Sequence, residues 1–255
     1  MENYSSVENF KEKCGYDING TWYPRVTRIV DIKSKPALYR YYAGLSNFAE
    51  GERIKKKSAT EGTLVHEAVE EILAGKKPEV DPSIRPSIKA FAEFLIENNI
   101  QVDPDYIERR VAHHEHRYAG TIDSVALIDG KLGIMDIKTS QAIYRDYNLQ
   151  TSAYLASLKD EVENLETRWI LRIDQAKICD FCGAKLRNKG GRIKVKVDWK
   201  NPYMRNCSHQ WSLEPVGEVE LQEFPYWQSD FEAFLGAKRL WEWENEDLLK
   251  KVGYL

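Results

Sequence analysis

The hydrophobic pattern is most informative around Asp129-Gly130. Val125-Ala-Leu-Ile128 precedes that dipeptide and Leu132-Gly-Ile-Met135 follows it. Asp-Gly favours the type I′ turn, whose twist matches that of two antiparallel strands. The pattern therefore predicts strands over 118–128 and 131–139 joined as a hairpin. Further strands are predicted near 106–111 and over 167–173, and Asp17-Ile-Asn-Gly20 reads as a turn leading into an extended segment through Val30. Helical periodicity begins at Ser34-Lys-Pro36 and continues to about Leu73, with a break expected before Gly62. It resumes over 82–99, after the linker Gly75-Lys-Lys-Pro78, and again over 145–158. Near the C-terminus Trp227, Phe231, Phe234 and Trp241 keep helical spacing, the signature of a core-facing stripe. Helices, then central strands, then a helix and a strand predict an α/β core with a mixed sheet flanked by helices.

Composition narrows this picture only slightly. With 255 residues, 42% hydrophobic and 30% charged, the chain can bury one sizeable core, so a single domain over 1–255 is expected. No uninterrupted apolar run reaches membrane-spanning length. The start, Met1-Glu-Asn-Tyr-Ser-Ser, has neither a secretory apolar run nor the Arg-rich pattern of an organellar presequence. A cytoplasmic protein, or a viral protein in a host cytoplasm, is the expectation, with no membrane partner; protein partners are not indicated. The net charge of −3 argues against a protein that coats duplex DNA indiscriminately but leaves room for a local basic groove.

The predicted hairpin brings Asp123 and Asp136 side by side. Paired carboxylates repel and persist best with a cation between them. All-oxygen ligands suit Mg²⁺ or Mn²⁺. Lys138 lies two positions beyond Asp136 and shares its face on a strand. An ammonium there can hold an attacking water and offset charge on a phosphate, the chemistry of a metal-dependent phosphodiesterase. Gln150 and Tyr154 follow at helical spacing. The same residues also fit a strand-end aspartate, a surface ion pair and ordinary helix packing. His66 borders the apolar stripe of Val65, Val69, Ile72 and Leu73, which also fits a half-buried structural histidine.

The ordered set resembles the PD-(D/E)XK nuclease superfamily, in its RecB-like exonuclease branch with the trailing Gln-x-x-x-Tyr. It is similar to mitochondrial genome maintenance exonucleases and related phage and bacterial exonucleases. The matching segments are Tyr23-Pro-Arg-Val-Thr-Arg-Ile-Val30, Gly62-Thr-Leu-Val-His66 with the helix after it, Glu108-Arg-Arg-Val, Tyr118-Ala-Gly-Thr-Ile-Asp123 and Asp136-Ile-Lys-Thr-Ser140. Together they cover roughly residues 20 to 175. The resemblance implies a restriction-endonuclease-like core and a Mg²⁺- or Mn²⁺-dependent DNA exonuclease acting on single-stranded ends in replication, repair or recombination. By the same resemblance Asp123, Asp136, His66 and the Ile137 carbonyl would hold the metal. Lys138 would be the catalytic lysine, and Gln150 and Tyr154 would brace the site or touch DNA. Arg25 departs from the pattern, standing where such proteins often carry a small Ser.

A second cluster stands apart. Cys179-Asp-Phe-Cys182-Gly183 and Cys207-Ser-His209 flank a hairpin-like insert over 176–211, and four N/S ligands at this spacing suit a tetrahedral structural Zn²⁺. The alternative is a [4Fe–4S] cluster held by Cys14, Cys179, Cys182 and Cys207, as in iron–sulfur RecB-like nucleases of the CRISPR-adaptation type. His209 and the long gap between Cys182 and Cys207 favour zinc. Disulfides are not expected, since nothing indicates secretion. From Lys177 to Arg205 nine Lys/Arg stand against two Asp, a local charge of +7 that leaves −10 for the rest. Lys185, Arg187, Arg192, Lys194 and Lys196 are the candidate nucleic-acid contacts of this insert, with a solvated basic face as the alternative. The cluster His113, His114, His116 reads as a partly solvated strand, with His113 on the face opposite the other two. A non-catalytic DNA-binding protein that kept the fold is the competing functional class.

Overall fold

The computed structural model describes residues 4–255, the side chains of Ala37 and Arg40 excepted. The chain opens with helix α1 (Val7–Cys14) and a small hairpin of β1 (Gly15–Ile18) and β2 (Thr21–Pro24). Helices α2 (Val26–Val30), α3 (Pro36–Ala43), α4 (Phe48–Leu73) and α5 (Arg85–Glu97) follow. The strands β3 (Gln101–Val102), β4 (Arg109–His113), β5 (Tyr118–Ile122), β6 (Ser124–Ile128) and β7 (Lys131–Lys138) come next. After α6 (Asp146–Leu158) run β8 (Leu165–Ile178), β9 (Lys185–Lys189), β10 (Arg192–Lys196), α7 (Pro202–Arg205), β11 (Val216–Glu223), α8 (Gln228–Glu244) and α9 (Glu246–Lys251).

The central sheet is mixed. β6 pairs antiparallel with β7, β7 parallel with β8, and β11 lies antiparallel on the far side of β8. The predicted turn is present, with φ of 50° at Asp129 and 78° at Gly130 and Ile128 opposite Lys131. Alternation along the strands builds two cores. Val125 and Ile134 face a core shared with α1, α2, α6 and α8, where Phe10, Leu155 and Phe234 are fully buried. Ala126, Met135 and Ile137 face the opposite core, closed by Val69 of α4 and Phe91 of α5. This alternation sends Asp136 and Lys138 to the α6 face. Arg168 of β8, fully buried, ties that helix down: it donates to the Asn148 carbonyl and pairs with Asp230 of α8 at 2.8 Å.

Four expectations are corrected. The strand expected over 118–128 breaks at Asp123, because β5 pairs with β4 in a separate two-stranded sheet while β6 joins the central one. The helix through Gly62 does not break; it runs from Phe48 to Leu73, with Asn47 capping its start. Gly62 instead allows close packing, since a Cβ there would lie 3.0 Å from Thr139 Oγ1. The three histidines do not share a strand. β4 ends at His113, and a turn with φ of 48° at Arg117 folds His116 back until its ring centroid is 4.8 Å from that of His113. His114 meets the Tyr23 hydroxyl at 3.0 Å. Finally, the segment through Val30 is extended only to Pro24 and then becomes α2. Among the described residues no helix is long and apolar enough to cross a membrane.

Candidate metal centres and cleft

Asp123 sits at the point where β5 leaves one sheet and β6 enters another, and that break frees its side chain to turn along the sheet end. Its Oδ2 accepts from the Ile137 N–H at 2.5 Å, so the hairpin brings it beside Asp136 and Lys138 as expected. The Ile137 N–H thus anchors the Asp123 carboxylate. The Lys138 ammonium lies 2.6 Å from Asp136 Oδ2, and Gln150 donates to Asp136 Oδ1 at 3.2 Å. The Gln150 amide also lies 3.1 Å from the Tyr154 hydroxyl. Gly120 makes room for that ring, because a Cβ there would lie 2.3 Å from Tyr154 Cε1. Asp136 is fully buried, yet its Oδ2 has no donor in hydrogen-bond geometry. A buried carboxylate oxygen in that state is stabilised mainly by positive charge, which Lys138 supplies here.

His66 arrives from α4, and the structure gathers its ring nitrogen with carboxylate oxygens of Asp123 and Glu108 so that all three ligand atoms lie within 4.8 Å of one another. Glu108 is a candidate ligand that the sequence pattern does not reveal. It reaches the site because Arg109 pairs with Ile122, which sets residue 108 against Asp123; the Glu108 N–H donates to the Asp123 carbonyl at 3.1 Å with φ of 48°. The signal was the Glu-Arg-Arg segment itself, but only strand pairing shows that its first residue faces the second carboxylate. A cleft of about 590 Å³ opens over this group, lined also by Tyr16, Arg25, Glu70 and Thr139.

The electrostatics fit a candidate cation site. Glu108 is exposed at the cleft mouth, but partial desolvation and the nearby Asp123, Glu70 and Asp136 push it up to about 7. Burial likewise raises Asp136 to about 6 although Lys138 opposes the shift, and it raises Asp123. Burial and the Lys138 charge lower His66, which keeps its imidazole neutral and able to ligate. Burial disfavours the Lys138 ammonium, but Asp136 and Asp123 outweigh it and hold the lysine charged. These donors fit a hard divalent cation.

The Cys/His cluster also forms. Ligand atoms of Cys179, Cys182, Cys207 and His209 lie within 4.8 Å of one another. Cys179 Sγ is 3.8 Å from Cys207 Sγ, and Cys182 Sγ is 3.4 Å from His209 Nδ1. Burial disfavours the Cys179 thiolate, but the Cys182 N–H and the His209 side chain donate to it and bring its pKa down to about 6. The cluster could therefore bind a metal. Cys14 is not part of it: the structure buries Cys14 in the first core, with its Sγ 3.1 Å from the Tyr4 hydroxyl. The four-cysteine arrangement including Cys14 is corrected on that ground.

Between the two clusters lies the β9–β10 ribbon, and its basic residues divide. On β9, Lys185 pairs with Glu218 at 2.7 Å and Arg187 with Asp174 at 2.5 Å. Arg187 also donates to the Thr139 carbonyl at 3.1 Å, and Lys189 donates to the same oxygen. The Gly190 N–H donates to Glu61 of α4 at 3.0 Å. β9 is thus fastened to the residue after Lys138 and to the helix that carries His66. On β10, Arg192, Lys194 and Lys196 are all exposed.

No family model matches the chain. No curated protein matches it either. Fifteen solved chains match, among them the crystal structure of LHK-Exo in complex with dAMP, at 12% identity and a TM-score of 0.35, covering 91% of this chain and 93% of that one.

Proposed function

We propose that this chain is a Mg²⁺- or Mn²⁺-dependent deoxyribonuclease with a PD-(D/E)XK core of the RecB-like exonuclease type, acting on single-stranded DNA ends. The observation that carries this reading is the convergence of His66, Glu108 and Asp123 beside a buried Asp136 whose Oδ2 faces the Lys138 ammonium. Asp123, Asp136, His66, Glu108 and the Ile137 carbonyl are the groups that would hold the ion. When bound, Mg²⁺ or Mn²⁺ supplies Lewis acidity to a phosphate oxygen and an acidified water.

The chain's own residues do the rest. Lys138, kept charged by Asp136 and Asp123, offers its ammonium to the attacking water and to the charge that develops on phosphorus-bound oxygens. Gln150 fixes the rotamer of Asp136, and Tyr154, held neutral by burial and the two carboxylates, supports Gln150. The Cys179/Cys182/Cys207/His209 cluster is read as a structural Zn²⁺ site that staples the 176–211 insertion, whose own apolar core is too small to fold it. Zinc is favoured over an iron–sulfur cluster because the fourth ligand is a histidine and Cys14 lies elsewhere.

The test is cleavage of end-labelled single-stranded DNA, linear and circular, in Mg²⁺ or Mn²⁺. Degradation of the linear strand alone is expected. Cutting of the circle would show an endonuclease, and cleavage of neither would leave the non-catalytic DNA-binding class standing.

A further inference from the structure

The register of the ribbon places Lys185 opposite Lys196, Arg187 opposite Lys194 and Lys189 opposite Arg192. Directly opposed residues share a face, so all six cations lie on one side of the ribbon and Leu186, Ile193 and Val195 on the other. The three on β9 turn inward to acceptors of the body. The three on β10 are exposed on that same side, and two of them are already oriented: Lys194 donates to Gln141 at 2.8 Å, and the Arg192 guanidinium sits 4.5 Å from the centroid of Tyr41.

This face continues the cleft. The cavity over the metal ligands shares Ser58, His66, Lys138 and Thr139 with a second cavity of about 370 Å³ that reaches Gln141 and Lys189. That one shares Ser58, Gln141, Arg187 and Lys189 with a third, of about 280 Å³, walled by Tyr41 and Tyr42 of α3 on one side and by Arg192 and Lys194 on the other. The Tyr41 hydroxyl is buried there with no hydrogen-bond partner. Phe48, 68% exposed, stacks on Tyr42 with ring centroids 5.1 Å apart.

We infer that the path from the carboxylates past Lys138 to the gap between α3 and β10 is a track for a single DNA strand, with β10 binding its phosphates and the Tyr41–Arg192 pair meeting its bases. This rests on the nuclease reading above and extends it to where the uncut strand lies. Cations spaced along a strand suit a polyanion. The flat groups opposite them decide between substrates, because only unpaired bases offer faces to aromatic rings and guanidinium planes. A duplex would use the cations and leave the aromatic wall unused. The ribbon's fastening to Thr139 sets the track in line with the site.

The experiment is fluorescence-anisotropy titration of the full chain, zinc retained and Mg²⁺ and Mn²⁺ withheld, with labelled oligothymidylate and with a blunt duplex. Arg192→Glu/Lys194→Glu/Lys196→Glu is expected to weaken single-strand binding at least about tenfold and to lower the slope of log affinity against log salt by about two, at roughly 0.7 for each phosphate no longer neutralised. Tyr41→Leu is expected to weaken binding several-fold at an unchanged salt slope. Should the triple variant misfold, Lys194→Gln/Lys196→Gln reads the same slope with milder changes. Unchanged affinity and slope, or duplex bound as tightly as single strand, would overturn the track. Wild-type cleavage in Mg²⁺ is scored in parallel. Binding through the ribbon without cleavage would remove the nuclease reading and keep the track, whereas cleavage with unmoved affinity would do the reverse.

Discussion

Two clusters in this molecule gather metal-ligating atoms within the same 4.8 Å and are otherwise opposites. One is oxygen-rich, assembled from α4, the residue before β4 and the β5–β6 break, and it opens into a wide cleft beside Asp136 and Lys138 of β7. The other is sulfur-rich, drawn from two short loops of one insertion, with Cys179 buried. On the proposed reading, the contrast divides their work. Carboxylates pressed together from distant elements hold charge that the fold alone does not neutralise, which suits an exchangeable hard cation and chemistry. Thiols and a histidine from neighbouring turns suit a closed tetrahedral site that substitutes for a core.

The contrast would break most visibly at the carboxylates. Asp123→Asn or Asp136→Asn is expected to lower single-strand cleavage by about a thousandfold or more while the zinc content of the purified protein stays at one per chain. A loss of zinc with activity would merge the two sites. The reciprocal change, Cys182→Ser, is expected to release zinc and reduce cleavage by about tenfold to a hundredfold through loosening of Arg187 and Lys189 from Thr139, with Mn²⁺ affinity at the cleft changed far less. Metal analysis together with Mn²⁺ titration reads both. Glu108→Gln is expected to weaken Mn²⁺ binding at the cleft by about tenfold, measured calorimetrically, because it removes one of three converging ligands.

A smaller effect is the pH dependence of metal-induced stabilisation. Glu108 near 7 and Asp136 near 6 lie above their ordinary values, so the folded chain without metal holds more protons than the unfolded one. Its stability therefore falls as pH rises from the ordinary carboxylate range through about 7. A divalent cation offsets that repulsion, so the rise in Tm on adding Mg²⁺ is expected to be larger at about pH 8 than at about pH 5.5. An equal rise at both would mean the carboxylates are not the site.

How much of this was legible in the sequence follows from the range of the interactions. Asp129-Gly130 fixed the hairpin locally, and the hairpin carried Asp123 to Asp136 and Lys138. His66, Gln150 and Tyr154 fall where helical spacing and the motif order placed them. Glu108 was missed as a candidate ligand because its place depends on β4 leaving the main sheet to pair with β5, which no local pattern announces. The continuity of α4 through Gly62 was missed for the same kind of reason: the glycine serves packing against Thr139, not a turn. β11 was not foreseen either, as an edge strand whose Val219 and Leu221 are only partly buried and whose Gly217 accommodates α5. Lys185 and Arg187 read as DNA contacts only until Glu218 and Asp174 are brought beside them. Acidic partners supplied by tertiary structure are invisible in a charge count.

The most direct test is the single-turnover rate of linear single-stranded DNA cleavage in Mn²⁺ by wild type and Lys138→Ala, both zinc-loaded. The account predicts metal-dependent cleavage by the wild type and a loss of about a hundredfold to a thousandfold in the variant at unchanged strand affinity. Cleavage by the variant at the wild-type rate would contradict it.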